Sequence, residues 1–116
     1  TKKRNVAMSA LDYQNQIKKY FKKKKISFDL ILLGMGLDGH VASIFPNNLN
    51  KSNICSPVIR KDFKRITLNL KIINKSKMII LWLNTRKSSL IYKNFNNQKK
   101  IPVNYLNEKK LSIYSL

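Results

Sequence analysis

The stretch from Phe28 to Pro46, FDLILLGMGLDGHVASIFP, constrains this chain more than any other. It opens as a run, Phe28 to Leu33, that is apolar on both alternations apart from Asp29, the pattern of a strand covered on both faces in a parallel sheet. The run ends in a turn that holds all three glycines of the chain, Gly34, Gly36 and Gly39, with the only histidine, His40, and one of just five carboxylates, Asp38. Scarce residue types gathered where a parallel strand ends mark a site, because ligands of α/β sheets bind outside the carboxyl ends of the strands. Glycines there permit positive φ and close backbone approach. They also leave turn N–H groups free to face an anion or a developing oxyanion.

The rest of the chain reads as elements around that turn. Upstream, Ala10, Tyr13, Ile17, Tyr20 and Phe21 recur at helical spacing, with Ser9 as the expected N-cap, Asp12 completing a shortened capping box, and Lys22 to Lys25 at the cationic C-terminal end. Residues 1 to 5 form a polar, basic lead. Downstream, His40 to Phe45 has room for only a short helical piece before Pro46 and the asparagines at 47, 48 and 50. A loop containing Pro57 is expected to Lys64. Ile66, Leu68 and Leu70 then alternate with Thr67 and Asn69, a strand with one apolar face. After a brief turn or helix over 71 to 77, the run MIILWL, Met78 to Leu83, is a second buried parallel strand, with Trp82 in the core. Asn84 or Thr85 caps a helix whose buried stripe is Leu90, Ile91 and Phe95. A polar linker over 96 to 100 leads to two short extended segments, Ile101 to Leu106 and Leu111 to Leu116. Strands alternating with helices imply one α/β domain with a largely parallel sheet.

Charge and cysteine content narrow the partners. The formal net charge of +19 would ordinarily point to nucleic acid or an anionic membrane. Here the lysines are spread along the chain with asparagine, isoleucine and tyrosine, a composition expected of AT-rich coding, and no nucleic-acid motif accompanies them. Lys22 to Lys25 read as a solvated helix end. The single Cys55 allows no intramolecular disulfide and no cysteine-based zinc site, so an inert thiol and a reducing, cytoplasmic compartment are expected. No run approaches the roughly 20 apolar residues of a membrane span, and no hydrophobic signal opens the chain. Because the first residue is Thr1 and not Met, the true N-terminus is expected elsewhere.

Gly34, Gly36 and Gly39 spell GxGxxG, but a dinucleotide site needs a long helix behind the third glycine and an acid at the end of the next strand. Pro46 cuts the helix short, and Asp62 precedes the next strand. The motif LLGMGLDGHVASIFP instead resembles the signature of the 6-phosphogluconolactonase family. The upstream Ala10, Tyr13 and Ile17, and the downstream Arg65-Ile-Thr-Leu-Asn-Leu, Ile73-Asn74, Met78 to Leu83 and Lys87, follow that family's order and spacing. Two departures stand out. Asn84 replaces the glycine usual three residues before the lysine, and the family's N-terminal half, with its glycine- and serine-rich phosphate loop, is absent.

The resemblance implies a three-layer, Rossmann-like α/β domain of which residues 1–116 are the C-terminal half, completed by an upstream half-domain or a fused pathway enzyme. It implies a sugar-phosphate lactone as substrate, no cofactor and no metal, in the oxidative pentose phosphate pathway. His40 is then the expected general base, since imidazole can take a proton from water near neutral pH. Asp38 would orient it and stabilise its cation. Gly34, Gly36 and Gly39 would let substrate approach, and Arg65 and Lys87 would hold its phosphate. The sister glucosamine-6-phosphate deaminases share the Asp-Gly-His turn but carry a glutamate five residues after the histidine, where this chain has Phe45. That difference favours lactone hydrolysis. A non-catalytic, basic, anion-binding remnant is the alternative from outside the enzymes.

Overall fold

In the computed structural model, residues 5–95 and 98–115 are described. The basic lead over 1–4, part of the expected linker at 96 and 97, and Leu116 lie outside them. The chain runs α1 (Val6–Phe21), β1 (Leu30–Gly34), β2 (Cys55–Ile59), β3 (Lys64–Leu68), α2 (Leu70–Asn74), β4 (Met78–Leu83), α3 (Arg86–Asn94) and β5 (Leu111–Ser115), with 3-10 turns at Pro46–Asn48 and Pro102–Tyr105. The α/β class and the parallel pairing follow the sequence. β1, β4 and β5 form a three-stranded parallel sheet in that order, with Leu30 opposite Met78, Gly34 opposite Trp82, and Trp82 opposite Tyr114.

One face of this sheet carries the core. Leu33, Ile79, Leu81 and Leu83 point into it and meet Leu70 and Ile73 of α2, Val41 and Ile44 of the glycine-rich loop, and Val103 and Leu106. The opposite face is uncovered among the described residues. Leu30 (52% exposed), Leu32 (67%), Met78, Trp82 (44%) and Tyr114 lie open along it, so Trp82 is not a core residue as the apolar run suggested. An apolar run reports that a strand can be covered on both faces, and the cover itself comes from elsewhere.

The second unit corrects the sequence reading most. The expected loop before Lys64 contains β2, which pairs antiparallel with β3, and Pro57 is accommodated because this two-stranded sheet leaves its edges unpaired. β3 and the residues after it bury both alternations: Leu68 and Leu70 of the expected apolar face pack in the core, but so do polar residues beside them. Thr67 and, just beyond the strand, Asn69 are buried, whereas Ile66 is exposed. Most of their polar groups find partners inside: Thr67 Oγ1 accepts the Ser43 amide (3.1 Å), and Asn69 Nδ2 donates to the Asn53 carbonyl (2.8 Å) and Ser56 Oγ (2.7 Å), while Asn69 Oδ1 is buried without a hydrogen-bond partner among the described residues. Hydrogen bonds from neighbouring segments make these polar side chains tolerable inside.

Helix α1 packs on this hairpin through Ala10 and Ile17, and Gln14 Oε1 accepts the amides of Ile54 (3.0 Å) and Cys55 (3.3 Å). Its N-cap is Asn5, whose side chain accepts from Met8 N–H, four residues before the expected Ser9. Tyr13 and Tyr20 of the expected stripe are exposed. In α3, capped by Thr85, Leu90 faces outward, and Tyr92 with Phe95 beyond the helix end packs on the core. Ile101 to Leu106 is not extended but wraps a 3-10 turn begun by Pro102. Residues 40 to 45 form no helix. Val41 makes bridges to Met35 and Ile44, and Pro46 starts a 3-10 turn where it was expected to stop a helix.

Candidate functional site

Beyond Gly34 the chain leaves β1 and folds back on itself, with Gly36 N–H donating to His40 O (2.9 Å) and Gly39 N–H to Gly36 O (2.9 Å). The Gly36 and Gly39 amides, two of those expected to face a ligand, are therefore engaged within the turn. Gly39 alone of the glycines has positive φ (86°), and a Cβ there would collide with Ile101 and crowd Phe95. Its carbonyl accepts Val103 N–H (2.9 Å), tying the turn to the Pro102–Tyr105 segment. Ala42 also takes positive φ (50°), a strain for a residue with a Cβ that the sequence pattern did not disclose. Gly34 has open space on its side-chain side, so its smallness leaves room without being forced by a neighbour.

This geometry brings Asp38 and His40 together. Asp38 Oδ1 lies 2.5 Å from His40 Nδ1 and also accepts the His40 amide (3.1 Å). Partial burial alone would raise the Asp38 carboxyl, but the hydrogen bonds from the His40 ring and amide, with the charge of the ring, outweigh it and hold its pKa below the ordinary 3.8. With Nδ1 engaged, Nε2 is the ring nitrogen left for a ligand or water. His40 is partly buried, with its side chain 27% exposed, against 63% for Asp38.

Behind the imidazole stands an aromatic column that no sequence motif marks. The buried Phe45 ring lies 4.8 Å from the His40 ring at 30°, and Phe63 from the β2–β3 turn stacks on Phe45 at 6.0 Å. Arg65 lies 4.0 Å over Phe63, and Arg60 lies 4.3 Å over Phe45. Asn48 fixes the loop that carries Phe45: its Oδ1 accepts Phe45 N–H (2.5 Å) and its Nδ2 donates to Ser43 O (3.1 Å). Because Ser43 N–H in turn donates to Thr67, loop and hairpin hold one another. The aromatic spacing in sequence, 45 and 63, gives no period by which this column could have been found.

Of the residues singled out in the sequence, Asp38, Gly36 and His40 are in contact, and Arg65 approaches them through Phe63 and Phe45. Lys87 stands in the first turn of α3, just past the end of β4 and thus on the same sheet edge as Gly34. It forms no hydrogen bond or ion pair with His40, Asp38 or Arg65. Arg86 and Lys87 occupy a helix start with no acid, where the dipole disfavours cations and favours an anion beside them. Cys55 is buried and its thiol is pushed up to about 11 by desolvation, far from a thiolate nucleophile. Among the described residues, no group of three His, Cys, Asp or Glu is placed to hold a metal ion, and no helix is long and apolar enough to cross a membrane. A surface cavity of about 830 Å³ lies at the other end of β1 among Lys22 to Lys25, Phe28 and Lys77, away from these residues.

Comparison with known proteins gives a consistent set of similarities. A family model described as glucosamine-6-phosphate isomerases/6-phosphogluconolactonase matches residues 1–114. The chain is 37% identical over 79 residues to a protein named probable 6-phosphogluconolactonase from Dictyostelium discoideum, covering 62% of this chain and 34% of that one. It is 32% identical over 82 residues to human 6-phosphogluconolactonase, covering 65% and 32%. Among solved structures, the Thermotoga maritima 6-phosphogluconolactonase superposes with a TM-score of 0.77 at 25% identity, over 93% of this chain and 50% of that one. The Plasmodium vivax protein does so with a TM-score of 0.82 at 22% identity, over 97% and 53%. The matched stretch spans about a third of the length of these curated relatives and about half of each solved chain.

Proposed function

The chain belongs to the glucosamine-6-phosphate isomerase/6-phosphogluconolactonase family, and from that premise we propose that the complete protein hydrolyses 6-phospho-D-glucono-1,5-lactone to 6-phosphogluconate, with residues 1–116 as the C-terminal half of its single catalytic domain. The observation that carries the choice within the family is Phe45. At the position where the deaminase branch has glutamate, this chain buries a phenyl ring between His40 and Phe63. Lactone hydrolysis needs no acid there. It needs an activated water and a stabilised oxyanion.

In this mechanism, Asp38 accepts from His40 Nδ1–H, which fixes the tautomer and leaves Nε2 unprotonated. A water hydrogen-bonded to Nε2 attacks the lactone carbonyl as its proton passes to the imidazole, and a C–O bond forms while the carbonyl π electrons move onto oxygen. The oxyanion then collapses and the ring C–O bond breaks. The imidazolium returns its proton toward the departing ring oxygen, and the product acid ionises to solvent. Asp38, already held in its ionised form by the histidine, stabilises the transient cation. Arg65 and Lys87 carry positive charge to the phosphate end of the substrate. The Gly36 and Gly39 amides are engaged in the turn, so oxyanion stabilisation falls to other donors.

The test compares two reactions of the complete protein: disappearance of 6-phosphogluconolactone above its spontaneous rate, and ammonia release from glucosamine 6-phosphate. Lactone hydrolysis without ammonia is expected. Ammonia release at a comparable rate would overturn the choice.

A further inference from the structure

The guanidinium of Arg60 is not accounted for by the roles above. It extends from the β2–β3 turn, closed by Arg60 N–H donating to Phe63 O at 2.9 Å, and lies 4.3 Å over the same Phe45 ring that rests against the His40 imidazole. The other end of this hairpin is anchored, since Thr67 accepts the Ser43 amide and the buried Asn69 binds Asn53 and Ser56. Among the described residues the ion pairs join Asp38 to His40 and Asp29 to Lys77, and neither Arg60 nor Arg65 pairs with a carboxylate, Asp62 of the same turn included. A guanidinium stacked on a ring through its face keeps its N–H edge free. That edge suits two oxygens of one planar or tetrahedral anion, and the ring limits the rotamer freedom lost on binding.

We propose that Arg60 is a specificity-determining residue of the site, binding a phosphate oxygen of the ligand held at His40 in concert with Arg65. This deepens the lactonase reading and rests on it for the identity of the phosphorylated ligand. The two guanidiniums come from one hairpin, each seated on a ring of the same stack, and the proposal requires this hairpin contact alone.

The experiment uses the complete protein and its Arg60→Ala and Arg60→Lys variants, with kcat/KM measured on 6-phosphogluconolactone and on unphosphorylated glucono-1,5-lactone. Loss of a charge-assisted contact made to phosphate should lower the ratio of the two by about tenfold or more in Arg60→Ala, mostly through KM, at unchanged melting temperature. Arg60→Lys should recover only part, because a point charge cannot reproduce the fork. An unchanged ratio, or equal losses on both lactones, would overturn the proposal. Should the wild type hydrolyse neither lactone, the lactonase reading fails by itself. Titration with inorganic phosphate, followed through the His40 ring resonances, then decides on Arg60: weaker binding in Arg60→Ala supports it, and equal binding overturns it.

Discussion

A side chain on Gly36 would occupy the space taken by the His40 imidazole, since a Cβ built there collides with the ring and stands 2.9 Å from Asp38 Oδ1. The glycine thus sets where the histidine can lie. Gly36→Ala should leave the fold intact, because the ring can swing outward, yet break the alignment with Asp38. A misplacement of about 1 Å can cost about a hundredfold in rate, and kcat of the complete protein should fall by that order with little change in melting temperature. An unaffected kcat would show that the observed ring position is not the working one.

His40 itself should be less forgiving. General-base assistance contributes about 10²–10⁴-fold, so His40→Gln should lower kcat by at least about a hundredfold in a protein that melts normally. A folded His40→Gln variant at full activity would remove the histidine from the mechanism.

Asp38 makes a prediction that needs no turnover. Its folded pKa is lowered, so its contribution to stability is present above the ordinary 3.8 and is lost as pH falls through the lower folded value. Carboxyl NMR titration should place Asp38 below 3.8, and in His40→Gln the midpoint should move back up. Because the carboxylate is largely solvated, Asp38→Asn should cost kcat far less than the about 10⁴-fold seen for a buried triad aspartate. A midpoint that ignores the His40 substitution would mean the pair does not form in solution.

Phe45 is the keystone of the aromatic column and is 5% exposed. Phe45→Ala should destabilise by about 3–5 kcal/mol through loss of buried ring and the cavity left behind. Phe45→Glu should destabilise as well, by burying an unpaired carboxylate, and should confer no ammonia release. Denaturant melts of the two variants beside the wild type measure this. A neutral Phe45→Ala would show that the ring is not packed as described.

The open sheet face predicts how residues 1–116 behave alone. Leu30, Leu32, Met78, Trp82 and Tyr114 are exposed together, and a few hundred Å² of uncovered apolar surface at about 25 cal/mol per Å² amounts to several kcal/mol, comparable to a domain's whole stability. The isolated piece should bind hydrophobic dyes, associate or melt without cooperativity, and hydrolyse lactone no faster than water does. Joining it to the remaining half of a lactonase domain should reverse all of these. A sharp melt with turnover by the piece alone would show that the face needs no cover.

The sequence by itself determined the two parallel strands and the turn between β1 and His40. Continuous apolar runs bounded by lysines and glycines have few other ways to fold, and a histidine two residues from an aspartate across Gly39 is held near it by chain connectivity alone. What tertiary structure decided lies wherever the choice depends on a distant partner. Thr67 and Asn69 turned inward because Ser43, Asn53 and Ser56 supplied hydrogen bonds from elsewhere in the chain, against the strand's own alternation. Pro57 entered a strand because its hairpin edge had no partner to lose. Phe45, Phe63, Arg60 and Arg65 form one stack only after the hairpin folds back over the loop, a contact between segments about which local periodicity carries no information. Trp82 shows the same limit from the other side: its neighbours in sequence promised burial, and among the described residues no element covers it.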